Sequence, residues 1–146
     1  MNREPVFEWN PETGIATCSM FYNNKKIIGM AMCHPEDEDM MSEYTGCAIA
    51  SMRAEIEMWV HIRDNEIKPG LNALKHLQAC MVHSKNYNEK SYESKMLRRQ
   101  IQNFEDDLAT VKEMLAQARL DLKVYLTSKD SYYKQVRARR EKAKSQ

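Results

Sequence analysis

A regular apolar repeat in the C-terminal half limits the possible folds of this chain more than any other feature. Its members are spaced alternately four and three residues apart: Leu97, Ile101, Phe104, Leu108, Val111, Leu115, Ala118, Leu122 and Tyr125. Lys129 then interrupts the repeat, and Tyr132 and Val136 resume it. This heptad pattern is typical of a helix that packs one seam against a partner. Since neither Pro nor Gly follows Asn86, we predict one helix over 91–140, roughly 75 Å long at the α-helical rise.

A second helical pattern lies upstream and could cover part of that seam. It should begin near Met40 to Ser42, and its buried stripe is predicted from spacings of three and four. The stripe consists of Met41, Tyr44, Ala48, Met52, Ile56 and Trp59. Pro69, within Lys68-Pro69-Gly70, should break or kink the helix, because it lacks an amide hydrogen and clashes with the preceding turn. Apolar spacing then resumes to about Ser84, at Leu71, Leu74, Leu77 and Met81.

A short polar connection, residues 85–88, joins this pattern to the last helix, and either Asn88 or Ser91 should cap that helix. Two long helices joined by a short loop predict an antiparallel helical hairpin. A second copy of the chain is another candidate partner for the seam. We expect both: a hairpin in the proximal half, and a homodimer formed along the distal half or the sheet.

The first 35 residues have the pattern of a small sheet. Strands are predicted at Val6 to Trp9, Ile15 to Tyr22 and Lys25 to Cys33, with Asn23-Asn24 as a two-residue hairpin loop. Strand alternation then sorts the side chains of the hairpin onto two faces. The apolar face holds Ala16, Cys18, Met20, Tyr22, Ile27, Gly29, Ala31 and Cys33; the mixed face holds Thr17, Ser19, Phe21, Lys26, Ile28 and Met30. So small a sheet is not stable alone, so it should lie on a helix.

The predicted fold class is therefore α+β, mainly α. A small antiparallel sheet in residues 1–35 packs on a coiled-coil-like helical hairpin with a basic tail in residues 40–146, as a single folding unit. The 146 residues include 29% charged residues but only four Gly and four Pro, which favours long exposed helices. No apolar run approaches the ~20 residues of a membrane span, and the N-terminus has no signal-peptide pattern. We therefore expect a cytoplasmic protein with reduced thiols.

The cysteines and histidines are the first candidates for chemistry. Cys33-His34 with Cys18 and Cys47, or Cys80 with His83, could ligate zinc, but the C-x2–4-C spacing of zinc sites is absent. Cys80 and His83 could also touch across one helical turn, yet no residue orients the histidine and no Gly-rich oxyanion loop follows. We expect buried core thiols, no cofactor, no metal and no enzymatic activity.

Charged segments are the better candidates for function. The acidic run Glu36 to Asp39 suits a helix N-terminus, or a patch for a basic protein surface, and it lacks EF-hand spacing. Basic residues occur near both ends of the last helix. They are Lys95, Arg98 and Arg99 near its start, and Lys134, Arg137, Arg139, Arg140, Lys142 and Lys144 near its end. Either they merely complement the helix dipole, or they contact phosphates or an acidic partner, with Tyr132 and Tyr133 stacking on exposed bases.

Three stretches carry a resemblance to known proteins. They are GIATCSMFYNNKKIIGMAMCHPEDEDMMSEYTGCAIA, HIRDNEIKPGLNALKHL and SYESKMLRRQIQNFEDDLATVKEML. From about Gly14 to Lys134, the chain resembles small proteins of phages, prophages and other mobile elements of Gram-positive bacteria. Among these are type II-A anti-CRISPR proteins, which inhibit Cas9. The resemblance implies a non-enzymatic inhibitor acting in the host cell, and it assigns no functional residues.

Three functions remain open from the sequence. The first is an anti-defence inhibitor that binds a Cas9-like CRISPR nuclease and nucleic acid. The second is a DNA- or RNA-binding phage accessory protein, for which the basic tail is the motivation. The third is a structural or assembly coiled coil, which would self-associate without either partner. Because the formal net charge is +1, a DNA mimic, which should be strongly acidic, is not expected.

Overall fold

A computed structural model describes residues 4–32 and 42–145. Its elements are β1 (Val6–Asn10), β2 (Ile15–Tyr22), β3 (Lys25–Met32), α1 (Glu43–Ile62), a π-helical segment (Arg63–Ile67), α2 (Lys68–Val82) and α3 (Tyr92–Lys144). The predicted class, a three-stranded antiparallel sheet followed by helices, is confirmed. The described residues form two compact units. Unit 1 holds the residues up to Met58 and those from Ala116 onward, and unit 2 is Trp59–Leu115.

The sheet of unit 1 has the strand order β1-β2-β3, with both neighbouring pairs antiparallel. Asn23 and Asn24 link β2 to β3 with φ angles of 45° and 64°, the left-handed backbone of a tight hairpin turn. Both residues tolerate positive φ because their short side chains hydrogen-bond locally. At the other hairpin, Gly14 has φ 69° and donates its amide to the Asn10 carbonyl at 2.8 Å. The predicted hairpin is therefore confirmed, while Cys33 lies outside the described residues.

The inner face of the sheet packs against α1 and the distal part of α3. The buried residues of this core are small except for Ile49: Ala16, Cys18, Ala31, Ile49, Ala50 and Ala54. Leu122, Tyr125 and Leu126 of α3 close over it. Small side chains let the helix backbone approach the sheet, and at Gly29 a β-carbon would collide with the backbone of Ala50 and Ala54. The predicted apolar face is therefore the one that is buried.

The predicted stripe of α1 is wrong at Tyr44, which is 80% exposed. The residues buried at this end of α1 are instead Thr45, Gly46, Ile49 and Ala50. Large apolar residues were the basis of the predicted stripe, whereas the contact with the sheet selects small residues that permit close approach. The helix begins at Glu43, where the Ser42 hydroxyl caps it by accepting the Thr45 amide at 3.1 Å. Met41, the first predicted member, lies outside the described residues.

The predicted interruption near Pro69 is a change of helix type, not a loop. Pro69 lies in the first turn of α2, and the five residues Arg63–Ile67 before it are π-helical. Here the Lys68 amide donates to the Arg63 carbonyl, five residues back. A π-helical segment relocates the carbonyls of the preceding turn, with which the proline ring would otherwise clash. The chain therefore stays helical from Glu43 to Val82.

Unit 2 contains α2 and the first part of α3, packed antiparallel. Leu71, Leu97 and Ile101 form its buried centre, with Leu74, Met81, Phe104 and Leu108 around them. Gly70 lies against the ring of Phe104, and Lys75 Nζ lies 3.4 Å from Glu105 Oε1. This is the proximal part of the predicted hairpin. Ser91 caps α3 by accepting the Ser94 amide at 3.2 Å, while Asn88 Oδ1 accepts the Lys90 amide in the preceding turn.

The seam of α3 follows the heptad prediction closely up to Ala118. Leu97, Ile101, Val111, Leu115 and Ala118 are all buried. Beyond Tyr125 the prediction fails at Tyr132, which is 55% exposed while Tyr133 is half-buried, whereas the other predicted member, Val136, is half-buried. In a straight helix, side chains seven residues apart do not point in the same direction but differ by about 20°. This difference accumulates along α3, so that Tyr133, one position later than Tyr132, lies on the buried side.

Candidate partner-binding surfaces

The basic end of α3, defined as residues 134–144, is a dense cluster of positive charge within the described residues. Its basic residues are Lys134, Arg137, Arg139, Arg140, Lys142 and Lys144, with Glu141 as the one acid among them. All six lie on helix, and all except the half-buried Arg137 are exposed. The segment therefore presents a dense positive charge on a rigid backbone.

Helical geometry distributes this charge around the axis. Arg137, Arg140 and Lys144 follow one another at spacings of three and four, so they share one side of the helix. Arg139 and Lys142, three residues apart, point to a different side. Lys134 Nζ forms an ion pair with Asp130 Oδ2 at 3.2 Å, but at 71% exposure of the lysine such a pair is weak and exchangeable. Charge on several sides suits a partner whose phosphates approach from more than one direction.

The two tyrosines before the basic end differ in availability. Their ring centroids are 5.7 Å apart with planes tilted by 59°, so each ring limits access to the other. Tyr132 is 55% exposed, whereas Tyr133 is half-buried. Of the two predicted stacking residues, Tyr132 therefore has the more accessible ring.

The basic residues at the start of α3 belong to unit 2, while the basic end belongs to unit 1. Lys95, Arg98 and Arg99 are exposed. Arg98 Nη2 donates to the Glu89 carbonyl at 2.9 Å and so fixes the connection that precedes the helix. This role for Arg98 was not visible in the sequence, because it depends on how residues 83–91 turn. Lys95 and Arg99 remain the better candidates for binding in this group.

The thiols do not gather into a site among the described residues. Cys18 is buried, Cys47 is half-buried, Cys80 is exposed, and all three are free. No group of three or more potential metal ligands occurs in residues 4–32 and 42–145. Burial raises the pKa of the Cys18 and Cys47 thiols, so both stay protonated at neutral pH. Cys33, His34 and the acidic run Glu36 to Asp39 lie outside the described residues.

The histidine that the structure places beside Cys80 is not the one considered from the sequence, His83. The histidine beside Cys80 is His76, whose Nε2 lies 3.8 Å from Cys80 Sγ, one turn toward the helix N-terminus. α2 ends at Val82, and His83 is its C-cap residue. Both Cys80 and His76 are exposed, and no described acid is hydrogen-bonded to the histidine. This pair therefore has neither the orienting group nor the enclosure that a nucleophilic site needs.

The outer face of the sheet, defined as the side turned away from α1, was not recognised as a candidate surface. On β3 it carries Ile28, Met30 and Met32, which are 48%, 53% and 69% exposed. Val6 on β1 is 50% exposed, and Ile15 and Phe21 on β2 are half-buried. From strand alternation, this face was predicted to be mixed in character. The sequence could not show that three apolar residues of β3 are exposed, because this depends on the fact that no described helix covers them.

An open cleft of about 640 Å³ lies at the end of this face, beside the turn between β1 and β2. Glu8 and Glu12 contribute carboxylates to it, and Ile15 and Thr17 line it from β2. The Asn10 side chain holds the turn by accepting the amides of Glu12 at 2.9 Å and Thr13 at 3.3 Å. The cleft thus combines a fixed backbone with negative charge.

Comparison with known proteins gives no relative: no family model, no curated protein and no solved structure matches this chain. Among the described residues, no helix has both the length and the apolar character needed to cross a bilayer.

Proposed function

We propose that this chain is a non-enzymatic anti-defence inhibitor of a phage or other mobile element, and that it binds a Cas9-like CRISPR nuclease together with its nucleic acid. The observation that carries the proposal is the basic end of α3. In this proposal the chain acts in the cytoplasm of the host bacterium and needs no cofactor.

The physical basis is the attraction between clustered cations and phosphates. A nuclease bound to its guide presents the phosphate backbone of nucleic acid, and each Lys or Arg that neutralises a phosphate releases a condensed counterion. Phosphate contacts of this kind position a protein without reading sequence. The basic end of α3 supplies such contacts and could thereby obstruct the path of the target DNA.

Charge also limits the mode of inhibition. The chain carries 22 basic and 21 acidic residues, so it is not an acidic imitation of DNA. The proposed inhibitor therefore binds to the nucleic acid of the complex or competes with the nuclease for it. It does not take the place of that nucleic acid in the cationic channel of the nuclease.

The experiment is co-purification with a Cas9–guide complex, followed by DNA cleavage assays with several Cas9 orthologues. A charge-reversed variant, Arg139→Glu/Lys142→Glu/Lys144→Glu, should lose about tenfold or more in inhibition. Its matched control is Lys112→Glu/Arg119→Glu/Lys123→Glu, which changes the net charge equally at exposed positions elsewhere on α3. No complex and undiminished cleavage with every orthologue would reject the proposal.

A second candidate function, binding of free DNA or RNA, is favoured by the exposed ring of Tyr132 beside the basic end. A gel-shift titration at several salt concentrations separates the two candidates. Binding to nucleic acid alone, lost when residues 133–146 are deleted, would favour an accessory nucleic-acid-binding protein. Binding only in the presence of the nuclease would favour the inhibitor.

A further inference from the structure

We propose that the outer face of the sheet binds an amphipathic helix of a partner protein, with apolar side chains along one flank of that helix and Lys or Arg along the other. This inference adds a second surface to the proposed function and does not rest on the basic end of α3.

The outer face has three columns of different character, set by the strand register. The column on β1 contains Val6, Asn10 and one carboxylate, Glu8. The middle column on β2 contains Ile15, Thr17 and Ser19, and the apolar column on β3 contains Ile28, Met30 and Met32. Ser19 is buried and Thr17 half-buried, whereas their neighbours on β1 and β3 are exposed. The small hydroxyl residues therefore form the floor of a shallow groove between two taller walls.

The two walls of the groove favour different side chains on the bound helix, apolar ones at β3 and basic ones at β1. On the β3 side, Ile28, Met30 and Met32 form an apolar wall, and methionine adapts to irregular apolar partners. On the β1 side, Glu8 is exposed, and Glu12 continues the negative charge into the cleft at the turn. A helix with basic residues on one flank and apolar residues on the other satisfies both walls.

The size of the face argues for one helix and against a second copy of the chain. With five residues in β1 and eight in each of β2 and β3, about 3.4 Å per residue and about 4.8 Å between strands give roughly 340 Å². A helix is about 10–12 Å wide, so about five turns, roughly 27 Å long, cover most of this face. A stable dimer buries about 800 Å² on each partner, roughly twice what this face offers.

The edge of β3 favours docking on the face over strand addition. Arg53 of α1 donates from Nη1 to the Met30 carbonyl at 2.8 Å. This carbonyl would accept a hydrogen bond from an added strand, so its capture by Arg53 removes one rung of any new ladder. A bound helix contacts the side chains of the face and does not need the Met30 carbonyl, so the hydrogen bond from Arg53 does not weaken its binding.

The test uses two synthetic 18-residue helical peptides and the full chain. Both peptides carry Leu on one flank, and the other flank carries Lys in one peptide and Glu in the other. Fluorescence anisotropy should show binding of the Lys peptide at least about tenfold tighter than the Glu peptide. Met30→Ser and Glu8→Gln should each weaken the Lys peptide about fivefold, by removing apolar contact and charge respectively.

Matched controls exclude a general effect of composition. Leu77→Ser removes a side chain that is 50% exposed in unit 2, and Glu57→Gln removes an exposed carboxylate of α1; both variants should bind like the parent. Equal binding of the two peptides, or equal binding by Met30→Ser and its control, would overturn the inference. So would a homodimer that Met30→Ser abolishes, because the face would then belong to a second copy.

Discussion

Gly29 is the residue at which the sheet and α1 of unit 1 approach most closely. Its missing side chain leaves room for the backbone of Ala50 and Ala54, and neither backbone segment can rotate away. Gly29→Ala should therefore reduce the free energy of unfolding by about 3 kcal/mol, measured by urea denaturation.

Gly70→Ala is the matched control for Gly29→Ala. There an added β-carbon meets the ring of Phe104, which can move, and the substitution gains about 1 kcal/mol of helix propensity. The loss at Gly70 should be clearly smaller than at Gly29. A smaller loss at Gly29 would mean that the close approach does not determine the packing of unit 1.

The described cysteines should differ sharply in reactivity. Cys80 is exposed, whereas Cys18 is buried and its thiol pKa is raised, so the reactive thiolate is scarce there. At pH 8, mass spectrometry after alkylation should find Cys80 modified rapidly and Cys18 modified only when the protein unfolds. Burial raises the pKa of the Cys18 thiol in the folded protein. Cys18 should therefore react faster in denaturant at every pH below this raised pKa. Equal rates in the folded protein would contradict the burial of Cys18.

At the scale of elements, the start of α3 depends on its cap. The Ser91 hydroxyl accepts the Ser94 amide, which otherwise has no partner within the helix. Ser91→Ala should lower the free energy of unfolding by about 1 kcal/mol in urea denaturation. Ser128→Ala, at an exposed position inside α3, should be neutral or slightly stabilising. Equal effects at the two positions would show that the cap contributes nothing.

The distal part of α3 also carries exposed apolar residues that suit self-association. Leu120 and Val124, one turn apart, are 52% and 60% exposed. Homodimerisation along this helix stays a prediction, and light scattering tests it. Val124→Glu should convert the dimer to monomer, while the control Ser128→Glu should not. An unchanged mass for Val124→Glu would remove this side of α3 from the interface.

Elements defined by local patterns were predictable from the sequence, and those defined by tertiary contact were not. Asn23-Asn24 and the seam from Leu97 to Ala118 depend on turn chemistry and periodicity, and the structure confirms them. The burial of α1 depends on Gly29 in another element, so periodicity alone placed Tyr44 wrongly inside. At Tyr132 the error is one of accumulated drift along a single helix.

At the scale of the whole molecule, the same division holds for the candidate surfaces. The basic end of α3 was visible as a charge cluster, and its exposure agrees with the sequence. The structural role of Arg98 and the groove on the outer face were not visible, because they depend on a loop conformation and on which side of the sheet the helices cover. Each of the two proposed surfaces has its own chemistry, cationic on α3 and both apolar and acidic on the sheet, so each can be tested without the other.

We propose that the basic end of α3 engages phosphates in a nuclease–guide complex. The most direct test of this proposal is the salt dependence of binding to a Cas9–guide complex, measured as the slope of log K against log salt concentration. Binding of the parent chain should weaken steeply with salt. For Arg139→Glu/Lys142→Glu/Lys144→Glu the slope should be shallower by about two to three. A slope that is the same for the parent and this variant, or no binding by either, would contradict the claim.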